Sequence, residues 1–305
     1  MGELAAIVTS LFWSITSVQF TLAGRRVGSA VVNRLRLILA VIFLSTMHTI
    51  LYGRPWPVDA ELFRWGWLGL SGVIGLVLGD AALFQAFVLI GPRRSMLLMT
   101  LVPVISTLLA WVWLGEVLVP LQIAAIAVTV MGVAWVVGER SPTAVPSPAS
   151  GQDDGVKDDG VNLRGILLGL GGAVGQAVGL VTAKQGLVGD FPTLSATLMR
   201  MVAAMIVLWV LTFFQGKAVS TVRALQDRRA GLFLLGGAVT GPFLGVWMSM
   251  VAVQQAQVGI ASTLMSLTPI MLIPLAWWIF GDRITLRSIL GTGLALTGAA
   301  ALFLV

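Results

Sequence analysis

Apolar runs long enough to cross a bilayer follow one another along almost the whole chain, separated by short polar stretches. Hydropathy and punctuation place ten of them, at about 3–22, 29–51, 62–90, 93–114, 120–138, 162–184, 193–214, 229–254, 258–280 and 285–305. A helix rises about 1.5 Å per residue, so roughly 20 apolar residues cover a hydrocarbon core near 30 Å. The runs are continuously apolar rather than alternating, which selects helices over a membrane barrel. A soluble surface is out of reach, because 10% of the residues are charged against about 25% in soluble domains. The expected fold class is an all-α polytopic membrane protein. The first run, from Leu4, lacks a basic start and carries Glu3, Ser14, Thr16, Ser17 and Gln19. It reads as a retained, rather polar first helix, not a cleaved leader.

The ten runs are two copies of five. Residues 98–116 (LMTLVPVISTLLAWVWLGE) and 264–282 (LMSLTPIMLIPLAWWIFGD) agree at eight of nineteen positions. At the same offset of 166, residues 62–138 laid on 228–304 give 17 identities, among them Gly75/Gly241, Gly79/Gly245, Pro103/Pro269, Trp111/Trp277 and Gly132/Gly298. Upstream, an offset of 164 pairs Arg36 with Arg200. Between the copies lies ERSPTAVPSPASGQDDGVKDDGV, residues 139–161, whose Pro, Ser, Gly and Asp have almost nothing to bury; it reads as a flexible tether. The expected organisation is a first five-helix repeat over 1–138, the linker over 139–161, and a second five-helix repeat over 162–305. Five crossings is an odd number, so the second copy enters the bilayer upside down. Inverted repeats build pseudo-twofold carriers with a site at the repeat interface.

The paired P…W…GE and P…W…GD segments, the glycine-bearing last helix of each half and the recurring Arg36 and Arg200 resemble the drug/metabolite transporter superfamily, in particular its ten-helix EamA-type members. The resemblance covers nearly the whole chain. It implies a central cavity lined by the first, third, fourth, sixth, eighth and ninth helices, with the fifth and tenth peripheral. Two features depart from the family pattern: Gly281-Asp282 replaces Gly-Glu, and the loop VQQAQVGIAST lacks the usual basic residues.

Asp80 is the sharpest single candidate. It lies well inside the third run, and its repeat partner is Val246. A mid-helix carboxylate costs about 2.5–3.5 kcal/mol to insert, so it must face protein or water. It could couple transport to a proton, clamp a substrate amine, or form a structural ion pair with Arg36, Arg93 or Arg200. The expected substrate site adds Trp13, Ser17, Gln85, Gln176, Trp247 and Gln254, polar or aromatic side chains within otherwise apolar runs. Ser14 and Gln176 fall at nearly corresponding repeat positions. Pro103 and Pro269 each remove a backbone donor inside a run and are the expected hinges. For Arg36 and Arg200 the cheap alternative is snorkelling to a headgroup. The Gly75-x-x-x-Gly79 and Gly241-x-x-x-Gly245 pairs, and the glycines of the sixth run, mark close helix packing.

One histidine, no cysteine and no phosphate-binding loop, H-E-x-x-H or G-x-S-x-G motif leave no catalytic residue, metal site or cofactor to expect. The formal charge of +6 sits between apolar runs and not on a nucleic-acid-binding surface. Thirteen Lys and Arg lie in the loops on the linker side, against Arg54, Arg64 and Lys184 on the other. The positive-inside rule would therefore place both termini outside the cytoplasm, whereas the resembled family is usually drawn with both inside. An even number of spans puts the two termini on one face. The expected function is secondary active transport, in the export direction, of a small organic metabolite such as an amino acid or a drug-like amine. Asp80 would couple it to protons, and the setting would be a bacterial cytoplasmic membrane. The rival readings are a lipid-linked headgroup flippase and a non-transporting membrane scaffold.

Overall fold

The structure, a computed structural model, describes residues 1–137, 163–280 and 285–303; the expected linker and the Gly281-Asp282 pair lie outside them. All regular secondary structure among the described residues is helical. In the first half they form α1 (Gly2–Val27), α2 (Ser29–Tyr52), α3 (Leu62–Gly72), α4 (Asp80–Met99), α5 (Val102–Leu114) and α6 (Pro120–Val137). The second half has α7 (Leu163–Gly186), α8 (Thr193–Phe214), the short α9 (Ala218–Arg223), α10 (Arg228–Ala238), α11 (Val246–Gln255), α12 (Val258–Met265), α13 (Thr268–Phe280) and α14 (Leu286–Phe303). Seven helical stretches are long and apolar enough to cross a membrane, and Val102–Leu114, Pro120–Trp135 and Ile289–Leu302 are shorter apolar helices. These are the ten expected crossings. Glycine ends α2 and α5, where Gly53 (φ 72°) and Gly115 (φ 67°) take the left-handed conformation that other residues resist.

The repeat extends to irregularities of the backbone. Val73–Gly79 and Val239–Gly245 are both π-helical, at the offset of 166 read from the sequence. Two-residue turns at Thr100–Leu101 and Ser266–Leu267 interrupt the fourth crossing of each half at equivalent places. Pro103 and Pro269 therefore do not kink a continuous helix. Each is the second residue of a helix that restarts after a turn, where a missing N–H costs nothing. The halves differ between the third and fourth crossings. The second half turns at Ala256–Gln257, whereas α4 runs on as one helix past Gly91-Pro92. Leu83 and Leu98 nonetheless pack on Gly172 and Gly169, less than one turn apart on α7. A straight helix would separate those leucines by about 22 Å, so the axis bends back between them.

Contacts between the halves fix their opposed threading. Gly2, at the start of α1, meets Ala256 just beyond the end of α11. At the other end of α1, Arg26 pairs with Asp227, just before α10. Gly132 on α6 packs on Ala295, and Gly298 on α14 packs on Thr129, so these two helices run antiparallel. The first helix of each half lies against the third crossing of the other: α1 on α10 and α11, α7 on α3 and α4. A central core thus forms between halves, with α6 and α14 paired at its edge.

Candidate functional site

The exchanged helices pack by different means. A Cβ on Gly175 would sit 2.8 Å from Gly79 Cα, and one on Gly179 would sit 3.0 Å from Gly75 Cα. Here α7 lies backbone to backbone on the π segment Val73–Gly79. At the equivalent contact, Gly241 and Gly245 receive the side chains of Thr16 and Trp13 from α1. These contacts set the register of the two first helices: Thr16 matches Gly179 and Trp13 matches Gln176. That is one residue from the Ser14–Gln176 correspondence expected from sequence.

Between these contacts lies a cavity of about 290 Å³, lined mainly by apolar side chains. Its lining is pseudo-symmetric. Leu76, Asp80, Met99, Thr100 and Val102 face Pro242, Val246, Met265, Ser266 and Thr268, each pair 166 residues apart. Trp13 and Ser17 are matched by Gln176 and Leu180. Only one of these pairs carries a charge. Asp80 is the acidic residue among the described lining residues, and Arg36 is the basic one.

Asp80 is held from two sides. Its Oδ2 is paired with Arg36 Nη2, and its Oδ1 accepts a 2.7 Å hydrogen bond from Gln176 Nε2. The same Gln176 nitrogen reaches the Gly75 carbonyl at 3.3 Å, while Arg36 Nε donates to Asn33 Oδ1 at 2.8 Å. Asn33, Arg36, Asp80 and Gln176 therefore form one chain of polar contacts crossing from the first half to the second. Arg36 does not snorkel to a headgroup, as the cheaper expectation had it. Opposite charges in a weakly polarisable interior attract strongly, which keeps both ions tolerable there. Beside the cavity, Thr16 of its lining shares a 2.7 Å hydroxyl contact with Thr240, and Ser262 shares one of 2.6 Å with Ser106. Facing helices are thus joined by polar pairs.

Of the residues expected to form the site, Trp13, Ser17, Asp80, Gln176 and the hinge residue Pro269 line this cavity. Gln85 does not join them; it is exposed, because five residues beyond Asp80 an α-helix has turned about 140° away. Trp247 lies outside the lining, its Nε1 donating to Thr193 Oγ1 at 3.1 Å and its ring stacked on Phe243. Gln254 also lies outside, holding the 189–191 turn through the carbonyls of Gly189 and Phe191. Pro103 is buried but faces elsewhere. Of the other possible Asp80 partners, Arg200 is buried behind the π segment, beside Gly75, and the Arg93 side chain is outside those described. Sequence reasoning missed Arg36 as a lining residue. It also missed Phe20, Met99, Met265, Ser262, Ser266 and Thr268, several of which the 166-residue offset from Asp80's surroundings could have flagged.

The terminus side of the molecule is sealed below the cavity. Glu116 Oε2 accepts the backbone N–H of Val258, the first residue of α12, at 2.8 Å. Lys184 Nζ lies 3.5 Å from the other Glu116 oxygen and donates to Ala256 O at 2.6 Å. Gln257 Nε2 reaches Val117 O. One carboxylate thereby ties the end of α5 to the beginning of α12 and the end of α7. An anion at a helix N-terminus is the favourable placement for such a tie.

The EamA-like transporter family matches the sequence over residues 1–138 and 163–304, one match per half. A solved structure described as "Crystal structure of protein" is similar over 99% of this chain and 97% of its own, with a TM-score of 0.76 and 16% identity. At that identity the likeness speaks to the fold. No curated protein matches the sequence.

Proposed function

The chain belongs to the EamA-like transporter family, and on that premise we propose that it is a secondary carrier that exports a small amphipathic metabolite. It works by alternating access between its inverted halves. The substrate is an amino acid or a drug-like amine, and the membrane is a bacterial cytoplasmic membrane. The observation that carries this reading is Asp80, a carboxylate on the wall of an otherwise apolar cavity between the halves. Ion sites of this kind at mid-membrane mark transport pathways. Trp13, Phe20, Met99 and Met265 offer apolar and polarizable surface to a substrate body, while Asp80, Arg36 and Gln176 offer a charged end.

Asp80 binds either the substrate amine or a proton at its Oδ atoms, and in both cases its hold on Arg36 weakens. That links occupancy of the cavity to contacts between α2, α4 and α7. A lipid flippase is less well supported, because Arg200 does not match Arg36 as a second cavity-lining cation for a phosphate. A scaffold has no use for a cavity that reaches a buried carboxylate.

The test is uptake of labelled amino acids and hydrophobic amines into proteoliposomes, with and without a pH gradient. Flux driven by the gradient, and its loss in Asp80→Asn, is the expected result. No flux for either class would remove the carrier reading. An Asp80→Asn variant with unaltered flux and pH dependence would remove Asp80 from the coupling role.

A further inference from the structure

Arg200 is the repeat counterpart of Arg36, yet its surroundings give it almost nothing to do. It is 3% exposed, and its Nε has no hydrogen-bond partner among the described residues. Its Nη1 points at the Met250 sulfur, 2.8 Å away, and a thioether is a weak acceptor. A buried guanidinium normally has several good acceptors, since burying an unpaired charge is costly. Repeat symmetry explains the vacancy. Arg36 meets Asp80, but the residue at the equivalent position for Arg200 is Val246.

Asp80 is nevertheless within one helical turn of Arg200. A Cβ on Gly75 would lie 3.7 Å from Arg200 Nη2. The Gly75 carbonyl accepts the backbone N–H of Asp80, so Asp80 sits one π turn above that glycine. Gln176 spans the gap, donating to both Gly75 O and Asp80 Oδ1. The intervening Val73–Gly79 is the segment wound as a π-helix, a winding that is rare and commonly placed at functional sites. Rewinding it by one residue into α geometry would turn Asp80 about 100° around the helix axis.

We propose that Asp80 has two counter-ions used in turn: Arg36 in the observed state, with the terminus side sealed, and Arg200 in the state open on that side. Two symmetry-related guanidiniums share one carboxylate, and hand-over between them lets the charge stay paired while the halves rock. The proposal rests on the alternating-access reading above and adds the residue that receives Asp80 in the other state.

The chain has no cysteine, so a single introduced thiol reports cleanly. Ala183 is fully buried on the sealed side and is the repeat counterpart of Phe20, which lines the cavity. In reconstituted Ala183→Cys protein, labelling by a small methanethiosulfonate cation measures opening of the terminus side. Adding Arg36→Met should raise the labelling rate on the order of tenfold, because Asp80 is then paired only on Arg200. Adding Arg200→Met should lower it on the order of tenfold by removing the second counter-ion. The Arg200→Met change removes a charge that forms no salt bridge among the described residues in the observed state, so it is expected to fold even where Arg36→Met does not. Unchanged labelling in Arg200→Met overturns the hand-over. So does Arg36→Met protein that folds and labels no faster. Should Ala183→Cys alone resist labelling both at rest and under an imposed pH gradient, the carrier reading fails, and the hand-over falls with it. A parent that labels while both arginine variants match it overturns the hand-over alone.

Discussion

The two π segments, Val73–Gly79 and Val239–Gly245, share their winding, their length and the glycine at each end of a G-x-x-x-G pair. They differ in the residue that follows. The first is followed by Asp80, the second by Val246, and the second also carries Pro242. They are also covered differently: the first by the backbone of α7, the second by the Thr16 and Trp13 side chains. The π winding is thus present in both halves, whereas the carboxylate is present in one. On the proposed carrier reading, the duplicated feature serves what both halves do, which is to move past each other. The unduplicated feature serves what one place does, which is to bind.

The strongest way to break this contrast is to make the first segment like the second. Asp80→Val leaves Arg36 buried without its partner, and removing one member of a buried ion pair costs about 3–5 kcal/mol. Transport should vanish and the thermal unfolding midpoint should fall. Transplanting the carboxylate, as Asp80→Val with Val246→Asp, should recover much of the lost stability, because Val246 stands to Arg200 as Asp80 stands to Arg36. If the double variant unfolds as readily as the single one, the chemical equivalence of the two positions is wrong.

Gln176 and Trp13 occupy matching places on the first helices, one polar and one aromatic. Hydrogen bonds to charged groups contribute about 1.5–3 kcal/mol, and Gln176→Ala removes the one that reaches Asp80 Oδ1, so it should shift the pH dependence of flux. Trp13→Ala should act on apolar substrates and spare the pH dependence. A flux assay across a substrate series separates them; equal effects of both variants on every substrate would erase the division of labour.

Much of this architecture was legible beforehand because it depends on periodicity and spacing. Ten apolar runs, the 166-residue register and the close-packing role of Gly75, Gly79, Gly175 and Gly179 all follow from residue type at fixed intervals. Asp80 and Gln176 stood out as polar groups in apolar surroundings. Side-chain direction could not be read in the same way. Gln85 is as polar and as central in the sequence as Gln176, but it faces outward, since a few residues' difference in position around a helix decides which face a group takes. Arg36 illustrates the converse. A cation seven residues from a helix end fits snorkelling on length alone, and only its contact with Asp80 reveals an inward orientation. The prolines were misplaced for a third reason: a mid-run proline marks either a kink or a restarted helix, and only the turn before it distinguishes them.

The packing contrast between the halves predicts a smaller effect. Gly175→Ala drives a methyl group into the Gly79 backbone, and overpacking of this kind costs about 1–3 kcal/mol. Gly241→Ala meets only the Thr16 side chain, which can rotate or shift, and should cost less. Thermal unfolding of the two variants in one detergent compares them directly. A larger loss for Gly241→Ala would mean that the Thr16 side chain is held more rigidly than the α7 backbone.

The last and smallest contrast lies at the caps of the third crossings, where Glu61 and Asp227 are again 166 residues apart. Asp227 is the N-cap of α10, its Oδ1 accepting the N–H groups of Arg229 and Ala230 at 3.1 Å. Glu61 precedes α3 without a side-chain cap bond and pairs with Arg64 instead; its longer side chain reaches past the helix start that an aspartate fits. The Ala230 N–H and the Arg26 side chain hold the Asp227 carboxyl below its ordinary value of 3.8. A lowered folded-state value means that this carboxylate stabilises the fold fully above the unfolded value, and the contribution is lost as pH falls through the lower, folded one. Asp227→Asn keeps a capping oxygen and removes the titration. The variant should therefore lose less stability between neutral pH and about pH 3 than the parent does, while Glu61→Gln should leave α3 capped no better or worse than before. Parallel acid profiles for Asp227→Asn and the parent would show that Asp227 caps its helix without storing any charge-dependent stability.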